Sequence, residues 1–162
     1  MKQELQEMLD ECDKQIKEIE CMMDSMSTFD KSRNYLTNYL LIKVCGTVEL
    51  IYRSIVADYF SQFQNTKIDT YLEKTVRKGS NSATYENMKK LLNKFDSAWG
   101  EAFKAIVDLT PDKDKLIAAS QSLVNNRHLF AHGSSPTATF NDIKSYYYDV
   151  LKLIEIFDSI VV

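Results

Sequence analysis

Apolar residues recur along this chain at steps of three and four, the spacing of one face of an α-helix. Between about Lys2 and Asp24, the residues Leu5, Met8, Leu9, Cys12, Ile16, Ile19 and Met23 share one face, and Glu, Asp, Lys and Gln fill the rest. That stripe predicts a core-facing bundle helix; a partner-binding amphipathic arm is the other reading. After the break at "MSTFDKS", a longer helix is predicted over Lys31–Phe63. Its stripe runs through Tyr35, Leu36, Tyr39, Leu40, Val44, Cys45, Val48, Ile51, Tyr52, Ile55, Val56, Tyr59 and Phe60. Gly46 interrupts it. Glycine is unfavourable inside a helix, so this one is expected to mark close approach of another helix.

Polar residues flank the second stripe. At about 100° per residue, Asn34, Asn38 and Glu49 fall along one edge of the apolar arc. Arg53 follows Glu49 by one turn and is expected to pair with it. The strip reads either as a solvated boundary with an exposed salt bridge or as groups facing a polar pocket.

"IDTYLEKTVRKGSNS" predicts a short helix ended by Gly79, and the cations Lys74, Arg77 and Lys78 suit its C-terminal dipole. "YENMKKLLNKFDSAWGEAFKAIVD" reads as one further helix, with Tyr85, Met88, Leu91, Leu92, Phe95, Trp99, Phe103, Ile106 and Val107 inward and a bend at Gly100. Thr110 is the expected N-cap of the next helix, with Pro111 at its first position. Leu116, Ile117, Leu123 and Val124 carry that helix into "NNRHLFAHG". After "GSSPTAT", Thr139 and Asp142 have capping-box spacing and open a last helix over Phe140–Ile160. No segment asks to be a strand. The pattern predicts an all-α fold, an antiparallel helical bundle of five or six helices forming a single domain over residues 1–162.

Composition agrees. Hydrophobic residues make up 44% and charged residues 27%, as in an ordinary globular domain, while four glycines and two prolines are too few for a sandwich or barrel. The three cysteines, Cys12, Cys21 and Cys45, form no Cys-x-x-Cys pair and sit in helical pattern. They read as reduced thiols of a cytoplasmic protein. The N-terminus is too charged for a signal peptide, and no apolar run reaches membrane-spanning length, so no membrane partner is expected. A net charge of -3 leaves a polyanion to be bound by a local patch rather than by the whole surface.

Chemistry concentrates in "NNRHLFAHG", which holds both histidines of the chain, His128 and His132, and Arg127 beside the first. Histidine moves protons near neutral pH, and the arginine fork fits phosphate oxygens. Spaced i, i+4, the histidines share a helix face, whereas Arg127 is about 140° from His132. The helix must bend or end here for Arg127 and His132 to converge, and Gly133 and Pro136 suit an ending. Zinc needs more ligands than two histidines, a Cys45–His pair has no supporting feature, and no glycine-rich phosphate loop occurs. Neither metal nor cofactor is expected. Arginine plus histidine suits metal-free cleavage of RNA, whose own 2'-hydroxyl is the nucleophile. The simpler reading is that Arg127 and His132 cap the helix C-terminus, where cations are favoured.

"RHLFAH", Arg127 to His132, resembles the Arg-x(4 to 6)-His motif of the HEPN superfamily of helical-bundle ribonucleases, which prefers a polar residue after the arginine. Asn126-Arg127-polar-x-x-Ala131-His132-Gly133, late in the chain before a final long helix, looks like the RiboL-PSP-like branch. The helix carrying "VCGTVELIYRSIVADYF" is similar too, and the resemblance implies that Glu49 faces the site. It implies catalytic roles for Arg127 and His132. Beside them, His128 is expected to orient the site or contact RNA, Asn126 to hydrogen-bond locally, and Arg53 to support the site with Glu49. It further implies a metal-independent endoribonuclease that leaves a 2',3'-cyclic phosphate. Such an enzyme would act as a homodimer, as a toxin or defence effector restrained by an antitoxin or regulatory partner. The alternative is a non-catalytic HEPN module that binds a nucleotide or a partner protein.

Overall fold

Every apolar stripe is helical in the computed structural model, which describes residues 1–162, although one of them is divided between two helices. There are seven α-helices and no strand: α1 (Gln3–Asp24), α2 (Ser32–Ser61), α3 (Thr66–Leu72), α4 (Tyr85–Phe95), α5 (Ser97–Leu109), α6 (Lys113–Ala131) and α7 (Phe140–Ile160). A π-helical turn, Glu73–Arg77, continues α3. No helix is long and apolar enough to cross a membrane.

Helix α2 is the spine. Leu40, Leu41, Val44, Ile51, Tyr52 and Val56 along it are fully buried, and it packs against α1, α6, α7 and the π-helical turn. Burying each such aliphatic side chain contributes about 1.5–3 kcal/mol relative to leaving it in water. This outweighs the modest helix propensity of a segment so rich in β-branched and aromatic residues. Helix α7 supplies the facing layer through Tyr147, Val150, Leu153 and Phe157. The Phe157 ring meets Tyr52 and Phe103 edge-on, each at 5.9 Å.

Cross-chain pairs set the directions. Lys2 bonds Asp58 at 2.9 Å and Tyr39 bonds Gln15 at 3.1 Å, so α1 and α2 run antiparallel. The N-terminal amine with Asp158, and Lys144 with Glu20, likewise oppose α1 and α7. Lys115 reaches Asp149 at 3.1 Å while Asn126 meets Thr137, which opposes α6 and α7.

Several local expectations need correction. The stretch from Tyr85 to Val107 is two helices, because Asp96 adopts an extended backbone and its carboxylate accepts from the Ala98 N–H at 2.7 Å. The apolar period runs through this break, but an Asp–Ser pair is N-cap chemistry and competes with helical continuation. Thr110 does not cap α6: its hydroxyl donates back to the Ile106 carbonyl at 3.1 Å, and Asp112 stands at the N-cap position. Gly46 marks no close approach, since a Cβ there would meet nothing within 4 Å. Tyr35 and Tyr39 are 74% and 53% exposed, so the stripe on α2 is wider than the part its neighbours cover. By contrast, Thr139 and Asp142 form the expected capping box at the start of α7.

Two of the three cations before Gly79 are held in ion pairs, and Lys74 is not. Arg77 pairs with Asp58 and, at 3.5 Å, with Glu73, and Lys78 pairs with Glu73 at 3.4 Å.

Candidate active site at the end of helix α6

Helix α6 stops at Ala131 for a specific backbone reason. Gly133 has φ +78, the left-handed region where a side chain is unfavourable. Its N–H donates to the Phe130 carbonyl at 3.1 Å, and the Ser134 N–H donates to the Leu129 carbonyl at 2.9 Å. This is the Schellman pattern, which satisfies carbonyls that the helix end would otherwise leave open. His132 occupies the C-cap position, and its own N–H returns to the His128 carbonyl at 3.1 Å.

The loop beyond is held by Asn126, which is buried. Its side-chain oxygen accepts from the N–H groups of Thr137 at 2.8 Å and Ala138 at 2.9 Å, and its amide donates to the Ser122 carbonyl at 2.9 Å. The carboxamide therefore spends its main capacity on fixing Thr137 and Ala138 against α6.

Arg127 points toward α2. It donates through Nη2 to Glu49 and, at 3.2 Å, to the Ser82 hydroxyl. The pair is largely shielded, with side-chain exposures of 28% for Arg127 and 15% for Glu49. Nε is buried without a partner, and Nη1 makes no hydrogen bond within the chain. Arg53 does not form the expected ion pair with Glu49. Its Nε donates to the Glu49 backbone carbonyl at 2.7 Å, leaving the carboxylate to Arg127.

The two imidazoles lie together on the open side of α6. Their ring centroids are 5.0 Å apart with planes at 71°, and both residues are exposed. No hydrogen bond joins either ring to Arg127. The site thus has two parts on one helix end, a braced guanidinium facing α2 and a pair of solvent-facing imidazoles.

Ser82 is the member that the sequence does not reveal, 45 positions from Arg127. The buried Tyr52 places it: the phenol donates to the Asn81 carbonyl at 2.9 Å, and the Asn87 amide holds the Ser82 carbonyl at 3.0 Å. Cys45 lies behind the ion pair, its thiol 3.7 Å from the Leu123 carbonyl. Burial pushes this thiol up to about 12, with the Glu49 carboxylate adding to the rise and Arg127 opposing it. It stays protonated at neutral pH and offers no nucleophilic thiolate.

The polar edge of α2 divides. Glu49 goes to Arg127, whereas Asn34 and Asn38 line a cleft of about 320 Å³ with Phe130 and residues 133–136. The pocket reading of that edge holds for the two asparagines, and Glu49 lies outside the cleft.

An antiparallel helical bundle with Arg-x4-His at the end of its penultimate helix defines a HEPN-like domain, a class in which ribonucleases are frequent and nucleotide-binding modules also occur. The family model described as RiboL-PSP-HEPN matches residues 7–162, and the chain belongs to that family. No curated protein matches the chain, and no solved structure does.

Proposed function

We propose that the protein is a metal-independent endoribonuclease that works as a homodimer, with Arg127 and His132 as its catalytic pair. The observation that carries this reading is the juxtaposition at the end of α6. A guanidinium is braced by Glu49 and keeps Nη1 uncommitted, and an exposed imidazole stands at the cap of the same helix. His132 takes the proton of the RNA 2'-hydroxyl, and the 2'-oxygen attacks the adjacent phosphorus. The bond to the 5'-oxygen breaks, and an acid protonates that leaving oxygen. Arg127 stabilises the charge on the crowded phosphate. The products are a 2',3'-cyclic phosphate and a 5'-hydroxyl.

Geometry favours two copies. In-line displacement needs base and acid on opposite sides of the phosphorus. Rings 5.0 Å apart on one helix face stand on the same side. A second copy's His132 supplies the other. Exposed apolar residues flank the motif on both helices: Leu129 and Phe130 on α6, Tyr35, Tyr39, Ile42 and Leu50 on α2. At about 100° per residue, Tyr35, Ile42 and Gly46 lie within about 60° of Glu49 around α2. Exposed large apolar residues gathered at such a position suit a protein interface. In this reading the enzyme is a toxin or defence effector, and an antitoxin or regulatory protein restrains it.

The test is RNA cleavage in EDTA. Wild type yields 2',3'-cyclic phosphate ends, and His132→Ala lowers the rate by at least about a hundredfold with an unchanged circular dichroism spectrum. Undiminished cleavage by that variant sinks the assignment. One observation favours the second reading, a nucleotide- or partner-binding module: Glu49 already neutralises Arg127 within the chain. Nucleotide binding without any cleavage, at stoichiometric protein, would select it.

A further inference from the structure

We infer that the cleft between the start of α2 and the loop after α6 is a subsite for one unpaired nucleobase of the RNA, next to the phosphate that is cut. The inference rests on the ribonuclease reading for the identity of the ligand, and on the cleft itself for the chemistry.

The cleft, about 320 Å³, is lined by Asn34, Thr37, Asn38, Phe130 and the loop residues Gly133 to Pro136. Its size falls within the range of small-ligand sites, roughly 300–1,000 Å³. Phe130 and Gly133 bracket the segment that carries His132, so the cleft opens beside the proposed base.

The lining has the chemistry of base recognition. No Lys, Arg, Asp or Glu lines it, so it is not built for the phosphate itself. The carboxamides of Asn34 and Asn38 make no hydrogen bond within the chain, whereas that of Asn126, next to Arg127, is spent on structure. A free carboxamide presents one donor and one acceptor side by side, the pattern that pairs with adenine. Phe130, 40% exposed, offers a ring on which a base can stack. Asn126 and the turn at Gly133 fix the loop wall, so the subsite does not have to be ordered when RNA arrives.

Two measurements test this together. The first maps cut sites in a single-stranded RNA pool randomised in sequence. Wild type should favour adenine on one side of the cut, and the Asn34→Ala/Asn38→Ala double variant should lose that preference by about tenfold while still cleaving. The second titrates the His132→Ala protein with adenosine 3'-monophosphate by NMR. Resonances of Asn38, Phe130 and Gly133 should shift, and should not when the double substitution is added. Wild-type cleavage without base preference, or a preference that survives the double variant, overturns the subsite. A preference for another base that the double variant abolishes keeps the subsite and overturns adenine. If wild type cuts no RNA, the ribonuclease reading falls and the titration decides alone: shifts confined to the cleft keep the subsite, and their absence removes it.

Discussion

Arg127 on α6 donates to Glu49 on α2 across 78 positions of sequence, and the pair is mostly shielded from water. A guanidinium held this way is fixed in direction before any substrate arrives. The same carboxylate neutralises part of the charge that a phosphate would need. Glu49 is thus at once a brace and a competitor.

Removing either partner leaves the other poorly solvated. Arg127→Ala and Glu49→Ala should each lower stability by about 2 kcal/mol, and the double variant should lose less than the sum by about 1 kcal/mol. Urea denaturation of the four proteins checks it. Strict additivity would mean that the two residues do not interact in solution.

Asn126 is expected to act through the loop. Asn126→Ala leaves the N–H groups of Thr137 and Ala138 without their acceptor and should cost about 2–3 kcal/mol. Hydrogen exchange at those two amides should speed up. Unaltered protection there would contradict a structural role.

Two glycines should respond in opposite directions. Nothing lies within 4 Å of a Cβ at Gly46, so Gly46→Ala should raise the stability of the single chain by about 0.5–1 kcal/mol. A Cβ at Gly133 also meets nothing, but its φ of +78 is strained for alanine, and Gly133→Ala should cost about 1–2 kcal/mol. Thermal melts at one protein concentration separate the two. In the ribonuclease reading, RNA cleavage should fall in Gly133→Ala, because the same turn sets His132.

Thiol chemistry should sort by burial. Cys21 is exposed, and Cys12 and Cys45 are buried. Iodoacetamide at pH 8 should label Cys21 in the folded protein and all three cysteines in urea, as read by mass spectrometry. The thiol of Cys45 also links stability to pH. Its value rises from 9.0 to about 12 on folding, so the unfolded chain loses this proton first. Its contribution is intact below about pH 9 and falls as pH rises toward 12. Cys45→Ala should flatten that alkaline slope.

The dimer reading makes Ile42 a sharp probe. It is 43% exposed on the outer face of α2, so Ile42→Asp should leave the fold intact. Light scattering should report the single-chain mass of 18.7 kDa for this variant and twice that for wild type. Cleavage should fall with the dimer. A wild-type protein that is monomeric at every concentration while cutting RNA would remove the dimer from the mechanism.

Much of the fold is legible in the sequence because helices record their buried face locally. The stripe of α1 appears as six buried residues from Leu5 to Met23, and α7 spans Phe140–Ile160 behind its capping box. The break at Asp96 is not visible in that pattern, because hydrophobic period and cap chemistry disagree there and only the backbone shows which prevails. Of the site, the sequence marks Arg127, His128 and His132 by their rarity and spacing.

What the chain by itself determined is the helical segments, though not the division at Asp96, together with their apolar faces and the placing of a cation and two imidazoles at one helix end. These follow from periodicities of a few residues. Tertiary structure alone decided that Arg127 pairs with Glu49 and Ser82, that Arg53 turns to a backbone carbonyl, and that the outer stripe of α2 stays uncovered. Those outcomes depend on which side chains reach one another after helices distant in sequence have packed, and local spacing holds no record of that distance.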